Sequence, residues 1–193
     1  EAFDYVMENN PRMRYYLISS IPVDHLYNMI VLPDELPQLA DNLHALLSKS
    51  KTVRVTAANG TDVTFGLTPN YPVQRHIGEA DKPGMVTPPA MVNMIPLDDT
   101  LTGKIVVNCL YADPWGITDD ICLHCEKGDI VDVTSKNPED AKKFKAWNAS
   151  WNDKNIYKTA HMNVGLLPGV REFLNTGILN DGISNERMWA CMN

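Results

Sequence analysis

The sequence contains no apolar run of the roughly 18 to 20 residues that a membrane-crossing helix requires. Its opening, Glu1-Ala2-Phe3-Asp4-Tyr5-Val6-Met7, lacks the basic-then-apolar plan of a signal peptide. Basic residues are few and scattered: 17 Lys and Arg stand against 24 Asp and Glu, a formal net charge of −7. That balance, with no dense Lys/Arg patch, argues against nucleic acid and anionic membrane as partners. Cysteine is also scarce, with four in 193 residues, and a chain of this size does not need disulfides to fold. There is one Cys-x-x-Cys, no second copy of it and no His-x-x-x-His to complete a zinc site. What is present is ordinary for a packed domain, 44% hydrophobic and 21% charged residues, which excludes a disordered or fibrous chain. The expectation is a soluble, cytoplasmic globular protein.

The chain reads as α+β. Tyr15-Tyr16-Leu17-Ile18-Ser19-Ser20 has the β-branched and aromatic content of a short buried strand stopped by Pro22. Asp34 is placed to cap a helix over 35–48, on which Leu36, Leu39, Leu43, Leu46 and Leu47 form a core-facing stripe. From Lys51 the period changes to two. Val53 and Val55, then Val63 and Phe65, alternate around Asn59-Gly60-Thr61-Asp62, a strong hairpin signal. A Pro/Gly-rich loop is expected over 69–89, and loops of that length are commonly functional. Strands follow over 91–95, 103–110, 117–125 and 129–134, the last two joined by a Glu126-Lys127-Gly128-Asp129 turn. Asn137-Pro138-Glu139-Asp140 is a complete helix start. On that helix Phe144, Trp147 and Trp151 repeat at core spacing. A final strand over 157–166 carries His161. Residues 1–49 read as the end of an α/β N-terminal domain, and 50–193 as an antiparallel-rich C-terminal domain, which the family resemblance that follows makes metal-binding. The apolar ending Met188-Trp189-Ala190-Cys191-Met192 suggests part of a longer enzyme.

Cys122 and Cys125 fall on a strand, where residues three apart face opposite sides, so their thiols should diverge rather than share a metal. Among the five histidines, His25 and His44 read as solvated. His76, in the long loop, and His161, on the final strand, sit in more informative neighbourhoods, and the family resemblance that follows makes them a candidate substrate contact and a candidate metal ligand.

A family resemblance rests on the order of several short motifs. These are Val53-Arg54-Val55 with Gly60-Thr61-Asp62, Tyr71-Pro72, and Pro96-Leu97-Asp98-Asp99-Thr100 with Gly103-Lys104-Ile105-Val106. Glu126-Lys127-Gly128 follows, then His161-Met162-Asn163-Val164-Gly165-Leu166-Leu167-Pro168-Gly169, with Thr176-Gly177 and Asp181-Gly182. Over about residues 14–193 the chain resembles the aminopeptidase T superfamily. That superfamily contains dinuclear metallo-aminopeptidases and iron-dependent 2,5-dihydroxypyridine 5,6-dioxygenases. The resemblance is nearer to the dioxygenases: Met91 stands where the peptidases have a metal-binding Glu, and His161 where they have Glu and the dioxygenases a metal-binding His. The loop from Tyr71-Pro72 through Ala80-Asp81 to Pro83-Gly84 is similar to the dioxygenase loop.

The resemblance implies Fe(II), held by a facial triad that leaves positions for substrate and oxygen, with His161 as one ligand. The other two form a His-x-Asp pair in the family. No His-x-Asp occurs in this sequence, so they are expected beyond Asn193. The chain also departs from the family at two histidines, a base expected before the Tyr15 strand and a loop histidine where Met85-Val86-Thr87-Pro88 stands. The implied partners are a small aromatic substrate and O₂, with a homodimer as the expected assembly and no catalytic residue assigned. The alternatives are a dinuclear aminopeptidase with two ions such as Zn, Co or Mn, and a non-catalytic fragment or degenerate homologue.

Overall fold

A computed structural model describes residues 2–16, 33–79, 81, 83–86, 90–107, 110–112, 116–118 and 121–166. The expected motifs from Leu167 onward, along with Cys109, Cys191, His25 and the end of the first strand, lie outside those residues. Helix α1 spans Ala2–Asn9 and strand β1 Arg14–Tyr16; α2 spans Leu36–Ser48. Strands β2 to β7 are Thr52–Thr56, Asp62–Gly66, Gln74–His76, Gly84–Val86, Met91–Met94 and Thr102–Val107. Strands β8 to β11 are Leu110–Ala112, Gly116–Thr118, Ile121–Glu126 and Asp129–Ser135. Helix α3 covers Pro138–Ser150, a 3₁₀ turn covers Lys154–Tyr157, and β12 covers Met162–Gly165. The architecture is α+β, built on antiparallel sheets; among the described pairings only β1 with β5 is parallel. Among the described residues no helix is long and apolar enough to cross a membrane.

The larger sheet has the order β11-β10-β7-β3-β2. Its β2–β3 hairpin follows from the alternation of Val53, Val55, Val63 and Phe65, with Val53 opposite Phe65 and Val55 opposite Val63. Gly60, at φ +101°, makes the turn. The turn is fastened to β7, where Asn59 donates to the Val106 carbonyl at 2.9 Å and the Val106 N–H donates to Thr61 Oγ1 at 2.9 Å. The β10–β11 turn has both Lys127 and Gly128 at positive φ, the primed geometry that matches strand twist. On the inner face Val63, Phe65, Leu101 and Cys125 form one core with Leu47, Val92 and Met94. Ile121 and Val133 form another with Ala141 and Phe144 of α3.

Several local expectations are corrected. Helix α2 begins at Leu36 with Glu35, not Asp34, at its N-cap, and no side chain caps it. Only part of its leucine stripe is core. Leu36, Ala40 and Leu47 are buried, whereas Leu39 is 52% and Leu46 64% exposed, because at about 100° per residue the first three share one side of the helix and Leu39 and Leu46 stand at its flank. The expected loop over 69–89 contains β4 and β5, whose three-residue lengths give too few periods to register in sequence. On α3 Phe144 is buried but Trp151, stacked edge-on against Trp147, is 58% exposed. That helix starts as expected, its Asn137 side chain accepting the Glu139 N–H at 3.2 Å. His44 is not simply solvated; its Nε2 lies 3.1 Å from the Val73 carbonyl, tying α2 to the segment before β4.

The two thiols diverge. Cys125 pairs with Gly103 on the inner face and is buried, while Cys122 pairs with Val106 on the outer face and is half-buried. Burial, with a smaller contribution from Cys122, pushes the Cys125 thiol up to about 11. At pH 8 roughly one Cys125 in a thousand is then thiolate, the nucleophilic form. Iodoacetamide should therefore modify Cys122 at least tenfold faster than Cys125 in the native protein, as followed by peptide mass mapping. Equal rates at the two positions would refute this placement.

Candidate functional site

Three strands, in the order β12-β6-β4, make the sheet that carries His76 on β4 and begins, at β12, just after His161. Its two faces differ in chemistry because side chains alternate along each strand. One face carries Val92 and Met94, which pack with Val73, Met162, Leu43 and Leu47. Helix α2 lies along that face, with Leu36 and Ala40 buried against Ile77 and Ala90. Arg75 also belongs to this side. Its guanidinium pairs with Asp41 of α2 at 2.6 Å and with Glu79 at 2.8 Å, so the Glu79 carboxylate of the long segment is committed to a structural ion pair.

The opposite face is polar. Register places Gln74 opposite Asn93 and His76 opposite Met91 on one side, and Asn163 opposite Asn93 and Gly165 opposite Met91 on the other. Gln74, Asn163 and Gly165 are exposed, His76 and Asn93 half-buried. The side chains are linked: Asn93 Nδ2 donates to Gln74 Oε1 at 2.9 Å, and His76 Nε2 lies 3.4 Å from the same oxygen. Burial lowers the His76 pKa below its ordinary value, so the ring is neutral at pH 7 and able to donate from one nitrogen while accepting at the other. The Oδ1 of Asn93 is buried and has no hydrogen-bond partner among the described residues.

His161 stands one residue before β12, not within a strand as expected, and is exposed. Its paired neighbour Met162 faces Met94, which sets His161 at the opposite end of the sheet from His76. Four residues of rise and two strand spacings separate them, on the order of 15 Å. At that separation a single-ring ligand cannot touch both. Asn93 lies between them, diagonal to His161 across the β6–β12 pair, where such neighbours are typically ~7–8 Å apart.

Among the described residues no three His, Cys, Asp or Glu side chains gather into a metal-binding group. His161 supplies one imidazole without companions, so the described residues do not by themselves make up a metal centre. A cleft of about 470 Å³ opens elsewhere, between the C-terminal end of α2 and the 67–73 segment, lined by His44, Ser48, Lys49, Lys51, Thr68 and Tyr71 among others. Neither His76 nor His161 lines it.

Asn93 and Gln74 were not singled out from sequence. Met91-Val92-Asn93-Met94 does not alternate, since the buried Met91 shares Asn93's side of the strand, and Asn93's partner Gln74 sits in a strand too short to be recognised.

No curated protein matches the sequence. Among solved structures, the 2,5-dihydroxypyridine dioxygenase from Pseudomonas putida KT2440 superposes with a TM-score of 0.72 at 22% identity, covering 93% of this chain and 50% of that one. Wild-type AmpT from Thermus thermophilus gives a TM-score of 0.49 at 15% identity, covering 89% of this chain and 40% of that one. The chain thus spans about half the length of the dioxygenase whose fold it shares. The NicX family profile, 2,5-dihydroxypyridine 5,6-dioxygenase, matches residues 7–181, and this chain therefore belongs to that family.

Proposed function

We propose that this chain forms part of a dioxygenase that opens the ring of a dihydroxylated N-heteroaromatic, using O₂ and Fe(II). The observation that carries the reading is the family match over residues 7–181. The polar sheet face is consistent with it. A flat, hydroxylated ring needs a site with a few directed hydrogen-bonding groups on an otherwise rigid wall, and Gln74, Asn93 and Asn163 offer carboxamides on three adjacent strands. In this reading His161 is a metal ligand, and the remaining ligands come from residues other than the described ones. His76 bounds the far end of the substrate face, and it acts on substrate through Gln74. Met91 is 7% exposed and offers a thioether where a second hard ion would need a carboxylate, which disfavours a dinuclear site.

Oxygen consumption decides the matter. The full-length protein, loaded with Fe(II) under argon and then exposed to air, should take up one O₂ per 2,5-dihydroxypyridine consumed. Loss of the pyridine absorbance without oxygen uptake, or release of amino acids from peptides with no effect on the pyridine, would overturn the proposal.

A further inference from the structure

The cleft at the C-terminal end of α2 lies apart from both candidate histidines, and its chemistry is of another kind. Its inner wall is the edge of the main core: Leu47 is buried, and Leu67 and Val73 pack against the same cluster. Tyr71 adds a half-buried ring. The Tyr71 hydroxyl donates to Asp98 at 3.3 Å, and Asp98 is not part of the lining, so what Tyr71 contributes to the cleft is apolar ring. The rim is basic. Lys49 and Lys51 line it, both exposed, and among the described residues the lining includes no Asp or Glu. In a chain of net charge −7 this is a local reversal of sign. The end of α2 carries roughly half a negative charge, less than two ammonium groups supply. The Lys49 and Ser50 N–H groups also cap the Leu46 and Leu47 carbonyls there, at 3.3 and 3.0 Å. Both sides of the cleft are fastened. The Leu67 N–H donates to the Lys51 carbonyl at 2.9 Å, and His44 Nε2 lies 3.1 Å from the Val73 carbonyl. A ligand would therefore find the cavity already formed, without having to order its walls.

We propose that this cleft is a binding site for a single-ring aromatic carboxylate, its ring against Leu47, Leu67, Val73 and Tyr71 and its carboxylate at the ammonium groups of Lys49 and Lys51. A preformed, largely apolar hollow with a few charged groups at one side is the usual form of a small-molecule site, and about 470 Å³ accommodates one substituted ring. The lysines act as point charges on flexible stems, without the fixed fork of arginine. The site therefore selects for negative charge and a flat apolar body rather than for one carboxylate geometry, and its affinity is modest. An uncharged analogue of the same shape keeps the ring contacts and loses the charge interaction. The site is independent of the proposed ring opening and of its metal.

The test uses the full-length protein with benzoate and benzamide, which match in size and shape and differ in charge. In equilibrium titrations benzoate should bind about fivefold more tightly than benzamide, as two exposed ion pairs allow. It should do so equally with and without Fe(II), and more weakly as salt is raised. Exchanging both lysines, Lys49→Gln with Lys51→Gln, should weaken benzoate about fivefold to tenfold while leaving benzamide and the melting temperature unchanged. Photolabelling with 4-azidobenzoate should mark the peptides that carry residues 44–51 and 67–73. Benzoate binding that survives the double exchange, that requires Fe(II), or that benzamide equals overturns the inference. So does a protein that binds no benzoate, or a label confined to other peptides. Oxygen uptake with 2,5-dihydroxypyridine is read separately, so either proposal can fail without the other.

Discussion

Replacing Gly103 with alanine is expected to lower stability by roughly 3–5 kcal/mol, the sum of backbone strain and a forced displacement in a packed sheet. Gly103 lies in β7, between Val63 of β3 and Cys125 of β10, in the middle of the five-stranded sheet. Its φ is +125°, a region that residues with a side chain rarely adopt. A Cβ there would overlap the Asp62 carbonyl oxygen and stand 3.0 Å from Val63 Cα. Both obstacles are backbone, so no rotamer change relieves them and β3 must move from β7. Such a loss is a large fraction of the 5–15 kcal/mol that holds an ordinary domain together. Gly84 provides the control: its φ is also +125°, but among the described residues nothing lies within 4 Å of its Cβ position. Gly84→Ala should therefore show the strain alone, about 1–3 kcal/mol. Urea unfolding with unchanged m-values would measure both; a Gly103→Ala variant no less stable than Gly84→Ala would disprove the steric argument.

The other large effect concerns His161 and follows from the proposed function. In the full-length protein His161→Ala should reduce bound iron at least tenfold and abolish oxygen uptake with 2,5-dihydroxypyridine. The fold should not notice. His161 is exposed and precedes β12, and exposed substitutions away from caps and networks usually shift stability by no more than about 0.5 kcal/mol. An unchanged melting temperature together with lost iron would separate a ligand from a structural residue. Full oxygen uptake by the alanine variant would remove His161 from the site. The contrast with Gly103 is useful: one substitution should weaken the sheet without touching a functional group, and the other should leave the sheet as stable as before and silence the site.

How far the molecule was legible depended on the length of each pattern. The β2–β3 hairpin, the turn at Lys127-Gly128 and the capped start of α3 are local, and each follows from residue type and spacing: alternating valines, a Gly at positive φ, an Asn followed by Pro and two acids. The divergence of Cys122 and Cys125 was legible for the same reason, since a strand's period of two leaves no choice about which side each thiol takes. The family, too, was readable from motif order, and the match over residues 7–181 bears it out.

Tertiary structure decided what lies opposite what. Nothing in the neighbourhood of Gln74 announces that it faces Asn93, 19 residues later, or that Asn163 completes the row from β12. Leu39, Leu46 and Trp151 look like core in their own helices and are exposed, because burial depends on how much sheet lies beneath a helix and not on its stripe alone. His76 and His161 are both present in the sequence as candidates, yet only the β12-β6-β4 pairing sets them at opposite ends of one small sheet. The sequence by itself determined the elements whose signal is local, the family and the chemical types available at the site. Only the tertiary structure decided which of those groups meet, because strand pairing is a non-local choice set by the whole hydrophobic pattern rather than by any one segment.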